Sequence, residues 1–305
     1  EVFGTDNVLP AHQGRAAENI LAEAFVKPGM FTLMNFHFTT TKAHITRLGG
    51  EVIELVDKKG LIPQSDDPFK GNFDLKKLRA TIKEKTPDKI AFVRVESGTN
   101  LIGGQPVSLE NMLAVCDICH EFGIPSVLDA SLLQDNVYFM KTREPRCKYM
   151  DTKSIYQLLA SRFDIIYFSA RKLGFSRGGF ILSTDRKWCD QMMGVGALYG
   201  GVLTFCGLGV RSIQAAAQGL LESLDMDYIS QGPEFIAYLA KELDDYGVPV
   251  IKPAGGLGCH LNCSEIVPDI PHDQYPAAAV GAAVFIAGGI RRMGGGRRAE
   301  QRGAD

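Results

Sequence analysis

Asp164-Ile165-Ile166-Tyr167-Phe168-Ser169-Ala170-Arg171-Lys172, followed by Gly178-Gly179-Phe180-Ile181-Leu182, decides how the chain is read. Two short apolar runs separated by a polar, glycine-containing turn predict buried strands of a sheet. Lys172 then falls at the mouth of the first strand. A lysine there loses hydration and has the like charge of Arg171 beside it, and both effects favour the neutral amine, the form that attacks an aldehyde to make a Schiff base. The plainer reading of Arg171 and Lys172 is a pair of solvated cations in a loop.

A second stretch weighs against the plainer reading. Ser126-Val127-Leu128-Asp129-Ala130-Ser131 is an apolar strand that ends in a carboxylate. A pyridoxal cofactor needs an acid beside its ring nitrogen, because only the protonated ring accepts the electrons of a substrate carbanion well. Asp129 and Lys172, at the ends of neighbouring strands, are expected to converge on one ring, and pyridoxal 5′-phosphate is the aldehyde this arrangement predicts. Its phosphate has a candidate site too. Asn7-Val8-Leu9-Pro10-Ala11-His12-Gln13-Gly14-Arg15 runs into the helical pattern Ala16–Ala24. Gln13, Gly14 and Arg15 thus sit at a helix start, where free N–H groups and the dipole favour an anion and glycine permits close approach. Ser169 is placed to add a hydroxyl. An ordinary helix start with a surface arginine is the alternative.

Five stretches together resemble a known family: LPAHQGRAAENIL (9–21), FHFTTTKAHI (36–45), TNLIGGQPVSLENM (99–112), VLDAS (127–131) and FSARKLGFSRGGFIL (168–182). In order and approximate spacing they are similar to the β-eliminating lyases typified by tryptophanase and tyrosine phenol-lyase. The resemblance implies a fold type I pyridoxal-phosphate enzyme: an α/β large domain with a mixed, mainly parallel sheet flanked by helices, and a small α+β C-terminal lobe. It implies that Lys172 carries the Schiff base, that Asp129 pairs with the pyridine nitrogen, and that Gln13, Gly14, Arg15 and Ser169 bind the phosphate. Phe38 matches the aromatic that stacks on the ring, Asn100 the residue that hydrogen-bonds the phenolic oxygen, Thr39 a residue near the substrate, and Arg291 the arginine that grips the substrate carboxylate. Flat apolar and planar forked side chains suit the roles of Phe38 and Arg291.

The departures bear on activity. Leu132 stands where the aromatic-substrate lyases carry an arginine near the phenolic oxygen. The family's preceding arm, with a catalytic tyrosine and a monovalent-cation ligand, is expected to be missing, and the sequence after Met293 turns into a Gly/Arg-rich run. The expected reaction is α,β-elimination on an amino acid, giving pyruvate, ammonia and a leaving group. The alternatives are other pyridoxal chemistry (carbon–sulfur cleavage, aldol cleavage or amino transfer) and a catalytically impaired, truncated homologue that acts as a binding partner.

The remaining sequence bounds these readings. With 305 residues, 45% hydrophobic and 22% charged, the chain is sized for a large domain over 1–210, a helical connection over 211–247 and a small lobe over 248–305. A net charge of -2 gives no pull toward nucleic acid or anionic membrane. Scattered cysteines and the absence of a signal peptide suggest free thiols and a cytoplasmic protein. Cys116 and Cys119 form C-x-x-C inside an amphipathic helical pattern without a second pair, so core packing is expected and no metal site. Pro276–Ile290 is apolar but too short to span a bilayer and is expected to be a packed helix. The family resemblance implies as partners a small-molecule amino acid and further copies of the chain, as a homodimer or homotetramer, with Tyr199-Gly200-Gly201 similar to a family segment near the shared interface. The arginines from Arg291 to Arg302 read as a solvated tail, with RNA contact as the alternative.

Overall fold

A computed structural model describes residues 1–202 and 204–293. Its centre is a seven-stranded sheet of β1 (Asn7–Ala11), β2 (Phe31–Met34), β3 (Glu51–Glu54), β4 (Ile90–Glu96), β5 (Ser126–Asp129), β6 (Ile165–Ser169) and β7 (Gly179–Ser183), in the order β1-β7-β6-β5-β4-β2-β3. The five strands from β3 to β6 are parallel, whereas β7 runs antiparallel to both β6 and β1. Parallel neighbours require crossovers. These come from α2 (Thr39–Arg47), α3 (Leu75–Lys85), α4 (Leu109–Phe122), and α5 (Leu133–Arg143) with α6 (Thr152–Arg162), while α1 (Gly14–Phe25) joins β1 to β2. After the sheet come α7 (Arg186–Gly200), α8 (Val210–Glu222), α9 (Met226–Ile229), α10 (Gln231–Asp245), α11 (Cys263–Ile266) and α12 (Pro276–Gly288).

Side chains alternate across each strand, so each face has its own core. Val93, Val95, Ile166 and Phe168 face a cluster with Leu113, Val115, Leu133 and Leu159 of α4, α5 and α6. Phe92, Val127, Ile165 and Tyr167 face the other, with Ala17, Ile20 and Leu21 of α1, Ile45 of α2 and Met192 of α7. The parity that puts Phe92 and Val127 on the α1 side puts Arg94 and Asp129 there too. In such a sheet the crevice beyond the carboxyl ends of the parallel strands is where a ligand binds. Phe38, Asn100, Asp129 and Ser169 all follow or end a strand at that edge.

Several elements differ from the sequence reading. Residues 7–11 form an edge strand, not only the approach to a loop; Pro10 is tolerated because β1 pairs with β7 alone. The helix α5 escaped the periodicity because Gln134 and Asn136 occupy buried positions on it. Asn136 uses its side chain to satisfy the backbone of Gly98 and Val107. At the start of the small lobe, the apolar run Val248–Ile251 reads as a strand but forms only a single bridge, Val250 to Leu261. Pro249 lacks an N–H, and the Lys252 amide turns away to Pro63 O at 2.9 Å. In α12 only Pro276 and Val280 are buried, and Phe285 and Ile286 are exposed. The tail beyond Met293 lies outside the described residues. Among those described, no helix is long and apolar enough to cross a membrane.

Candidate active site

The N-terminal end of α1 is shaped by two close approaches. A Cβ on Gly14 would lie 2.7 Å from Ser169 Cβ, and one on Gly179 would lie 2.4 Å from the Gln13 carbonyl carbon. Glycine at both positions lets the helix start press against the β6–β7 turn. The cap residue Gln13 is extended and supplies no side-chain hydrogen bond to the first turn. Gln13 is half-buried, Arg15 is exposed, and Ser169 is half-buried with its amide donating to Ser131 Oγ at 3.0 Å.

Lys172 follows β6 and is half-buried, with Nζ 5.2 Å from the centroid of the Phe38 ring. Phe38 is the N-cap of α2, and Thr39, the first residue of that helix, is exposed. The charge of Lys172 favours the ionised forms of three nearby carboxyls, Asp129, Glu96 and Asp135. Arg171, its sequence neighbour, is exposed. Three carboxyls from separate segments therefore lie within electrostatic reach of the lysine.

Asp129 ends β5, only 5% exposed, and is held on both oxygens. Its Oδ1 accepts from the Ser131 amide at 3.0 Å, and its Oδ2 accepts from Arg94 Nη2 at 2.5 Å and from the Tyr167 hydroxyl at 2.9 Å. Burial opposes its charge, but the Arg94 guanidinium and the Ser131 donors prevail and hold the carboxyl below its usual range. Arg94 is fully buried; it also donates from Nε to the Tyr167 oxygen at 2.8 Å, and from Nη1 to Glu96 Oε2 at 3.2 Å and Phe36 O at 3.4 Å. Glu96 accepts from the Asn100 amide at 3.1 Å, which ties the half-buried Asn100 to the same network. Burial pushes the Glu96 carboxyl up despite Arg94.

A further carboxyl faces this network from α1. Glu18 is 6% exposed, accepts from Thr40 Oγ1 at 2.5 Å, and is pushed up to about 7 by burial and then by the negative charge of Asp129. On the other side Asp135 of α5 is pushed up to about 6 by burial, partly offset by the Leu257 amide and Lys172. Leu132 is buried and packs beside Gly98. Arg94, Glu96, Tyr167 and Glu18 were not singled out from the sequence. The available signal was two charges, Arg94 and Glu96, on one face of an otherwise apolar strand, a placement that is costly unless each is paired.

Arg291 does not join this group by any contact among the described residues: it is exposed beyond the end of α12. Its neighbour Arg292 is the anchored one, donating from Nη2 to Ala277 O at 2.5 Å. Tyr199 lies in α7, half-exposed, with its hydroxyl 3.3 Å from Glu23 Oε1. Cys116 and Cys119 are buried free thiols in α4, and no group of three or more metal-ligating side chains occurs among the described residues.

A phosphorylated aromatic aldehyde suits this donor set. The N-terminal end of α1 lies pressed against Ser169, an aromatic face lies beside a primary amine, and a buried carboxylate stands at the same crevice edge.

The family model described as beta-eliminating lyase matches residues 1–300. A tyrosine phenol-lyase of Pasteurella multocida is 38% identical over 294 residues, covering 96% of this chain, and one of Symbiobacterium sp. is 35% identical over the same span. The chain spans 64% of the length of each of these relatives. Among solved structures, aspartate aminotransferase of Thermus thermophilus superposes with a TM-score of 0.65 at 15% identity, over 90% of this chain and 66% of that one. That likeness carries the fold alone, the fold type I architecture.

Proposed function

Since the chain belongs to the β-eliminating lyase family, we propose that it binds pyridoxal 5′-phosphate and catalyses α,β-elimination from an amino acid, giving pyruvate, ammonia and the expelled β-substituent. The observation that carries this reading is the placement of Lys172 Nζ 5.2 Å from the Phe38 ring, at the crevice edge where Asp129 is buried. The family match favours elimination over carbon–sulfur cleavage, aldol cleavage, amino transfer or a purely binding role.

Bound there, the cofactor supplies an aldehyde that condenses with the substrate amine and a ring that takes up the electron pair left at Cα. The chain's residues do the rest. Gln13, Gly14, Arg15 and Ser169 hold the phosphate with the α1 amides and a hydroxyl. Phe38 would stack against the ring, Asn100 would donate to its phenolic oxygen, and Asp129 would hold a proton on its ring nitrogen. Lys172 would move the proton at the substrate Cα. Thr39 and Arg291 are assigned to substrate, Arg291 to its carboxylate; the latter assignment rests on resemblance alone. Residues 1–210 are the cofactor domain in this reading, with 211–247 connecting to a small lobe over 248–305.

We propose further that the protein works in the cytoplasm as a homodimer or homotetramer. Exposed Leu198, Tyr199, Val202 and Phe205 around the end of α7 supply apolar surface for self-association. Light scattering at working concentration tests the assembly, and a monomer with full activity refutes it.

Purified protein incubated with pyridoxal phosphate is expected to gain a visible imine band that borohydride removes, with the pyridoxyl group mapped to Lys172. It should then release pyruvate from an amino acid with a β leaving group; tyrosine and tryptophan head the screen. A protein that acquires no such band, or that is labelled on another lysine such as Lys42 or Lys187, refutes the assignment.

A further inference from the structure

The network behind Asp129 is larger than a cofactor-binding carboxylate requires, and it is built around a fully buried guanidinium. Arg94 spends donors on Asp129, Tyr167, Glu96 and the Phe36 carbonyl. Tyr167 closes a triangle by accepting from Arg94 Nε and donating to Asp129 Oδ2. A carboxylate oxygen has two lone-pair sites. On Oδ2 both are taken, by Arg94 and by Tyr167. Oδ1 accepts the Ser131 amide at 3.0 Å, and the Ser131 hydroxyl supports the same carboxylate.

We propose that Arg94 is a positioning residue for the ring nitrogen: with Tyr167 it fixes the Asp129 carboxylate through Oδ2, in the orientation and charge state that the cofactor ring meets. This inference rests on the pyridoxal-phosphate reading above. Arg94 acts through Asp129 and does not touch the ring. The same guanidinium holds Asp129 ionised in a site that burial would otherwise push toward the neutral acid, so it sets both the direction and the charge of the acceptor. A lysine cannot replace it fully. One ammonium has three donors at a single point and cannot reach Asp129, Tyr167, Glu96 and Phe36 O together.

The test compares two ligands that differ only at the ring nitrogen, pyridoxal 5′-phosphate and its 1-deaza isostere, binding to the full chain freed of cofactor. The ratio of their affinities reads the Asp129 contact without any turnover. The parent is expected to prefer the natural ring by roughly 10- to 150-fold, the worth of one charge-assisted hydrogen bond. D129N should bring the ratio near one. R94M should do the same although Asp129 is intact, and R94K should recover part of the preference. Because R94M leaves Glu96 without its cation, R94M/E96L carries the same expectation with the buried charge balanced, should the single variant not fold. A parent-like ratio in folded R94M or R94M/E96L overturns the role of Arg94 while leaving the cofactor reading standing. A ratio near one already in the parent, or binding of neither ligand, refutes the cofactor reading itself, and this inference with it.

Discussion

Replacing Glu18 by Gln removes one ionisation and little else. The Thr40 hydroxyl that donates to Glu18 Oε2 can donate to the amide oxygen in its place. In the folded protein the carboxyl is pushed from its usual 4.5 up to about 7, first by burial and then by Asp129. The folded state therefore binds more protons than the unfolded state between these values. Stability falls as pH rises through that window: the contribution is fully present below about 4.5 and lost above about 7. At 1.36 kcal/mol for each pH unit, the gap amounts to roughly 3 kcal/mol. Denaturant unfolding of parent and E18Q at pH 4 and pH 8 should give nearly equal stabilities at pH 4. At pH 8 the variant should be more stable by about 3 kcal/mol. A difference between the two proteins that stays the same at both pH values would refute the raised proton affinity of Glu18, and with it the electrostatic link between α1 and Asp129.

Gly14→Ala should destabilise the fold by roughly 1–3 kcal/mol, the usual cost of overpacking, because the new Cβ meets Ser169 Cβ at 2.7 Å; calorimetry and phosphate-cofactor affinity should both register it. Lys172→Ala should abolish borohydride labelling yet leave stability within about 1 kcal/mol of the parent, since the side chain is half-exposed. Arg143 donates to Pro68 O at 3.0 Å and Ala254 O at 2.9 Å, bridging the large sheet's loops to the segment after α10. Arg143→Met should cost roughly 2–3 kcal/mol and speed amide hydrogen exchange around residues 250–258; unchanged exchange there would refute the bridging role.

How much of this could be read from the chain depends on the kind of interaction. The strands around Val127, Ile165 and Phe180 announced themselves as apolar runs, and α4 by its periodicity; Ser108 and Gly123 supply its two ends. Lys172, Asp129 and Gly14 stood out because each is a residue type placed where local rules make it costly or special, whereas Phe38 was marked only by the family resemblance. The helix α5 was not legible, since its buried polar residues Gln134 and Asn136 interrupt the apolar stripe. Asn136 is buried only because it satisfies the backbone of Gly98 and Val107, which are remote in sequence.

The sequence by itself determined the alternation of strands and helices, the family, and the residues at the strand ends, because apolar period and turn chemistry act between near neighbours. Tertiary structure alone decided what surrounds those residues. Lys172 was expected beside a like charge, but folding turns Arg171 to solvent and brings Asp129, Glu96 and Asp135 toward the lysine from separate segments. Arg94 pairs with Asp129 across adjacent strands, and Glu18 meets both from a helix near the start of the chain. Coulomb interactions depend on distance and burial, which the strand order sets. No window of residues along the chain contains the register that places Glu96 opposite Asp129 and Asp129 opposite Tyr167.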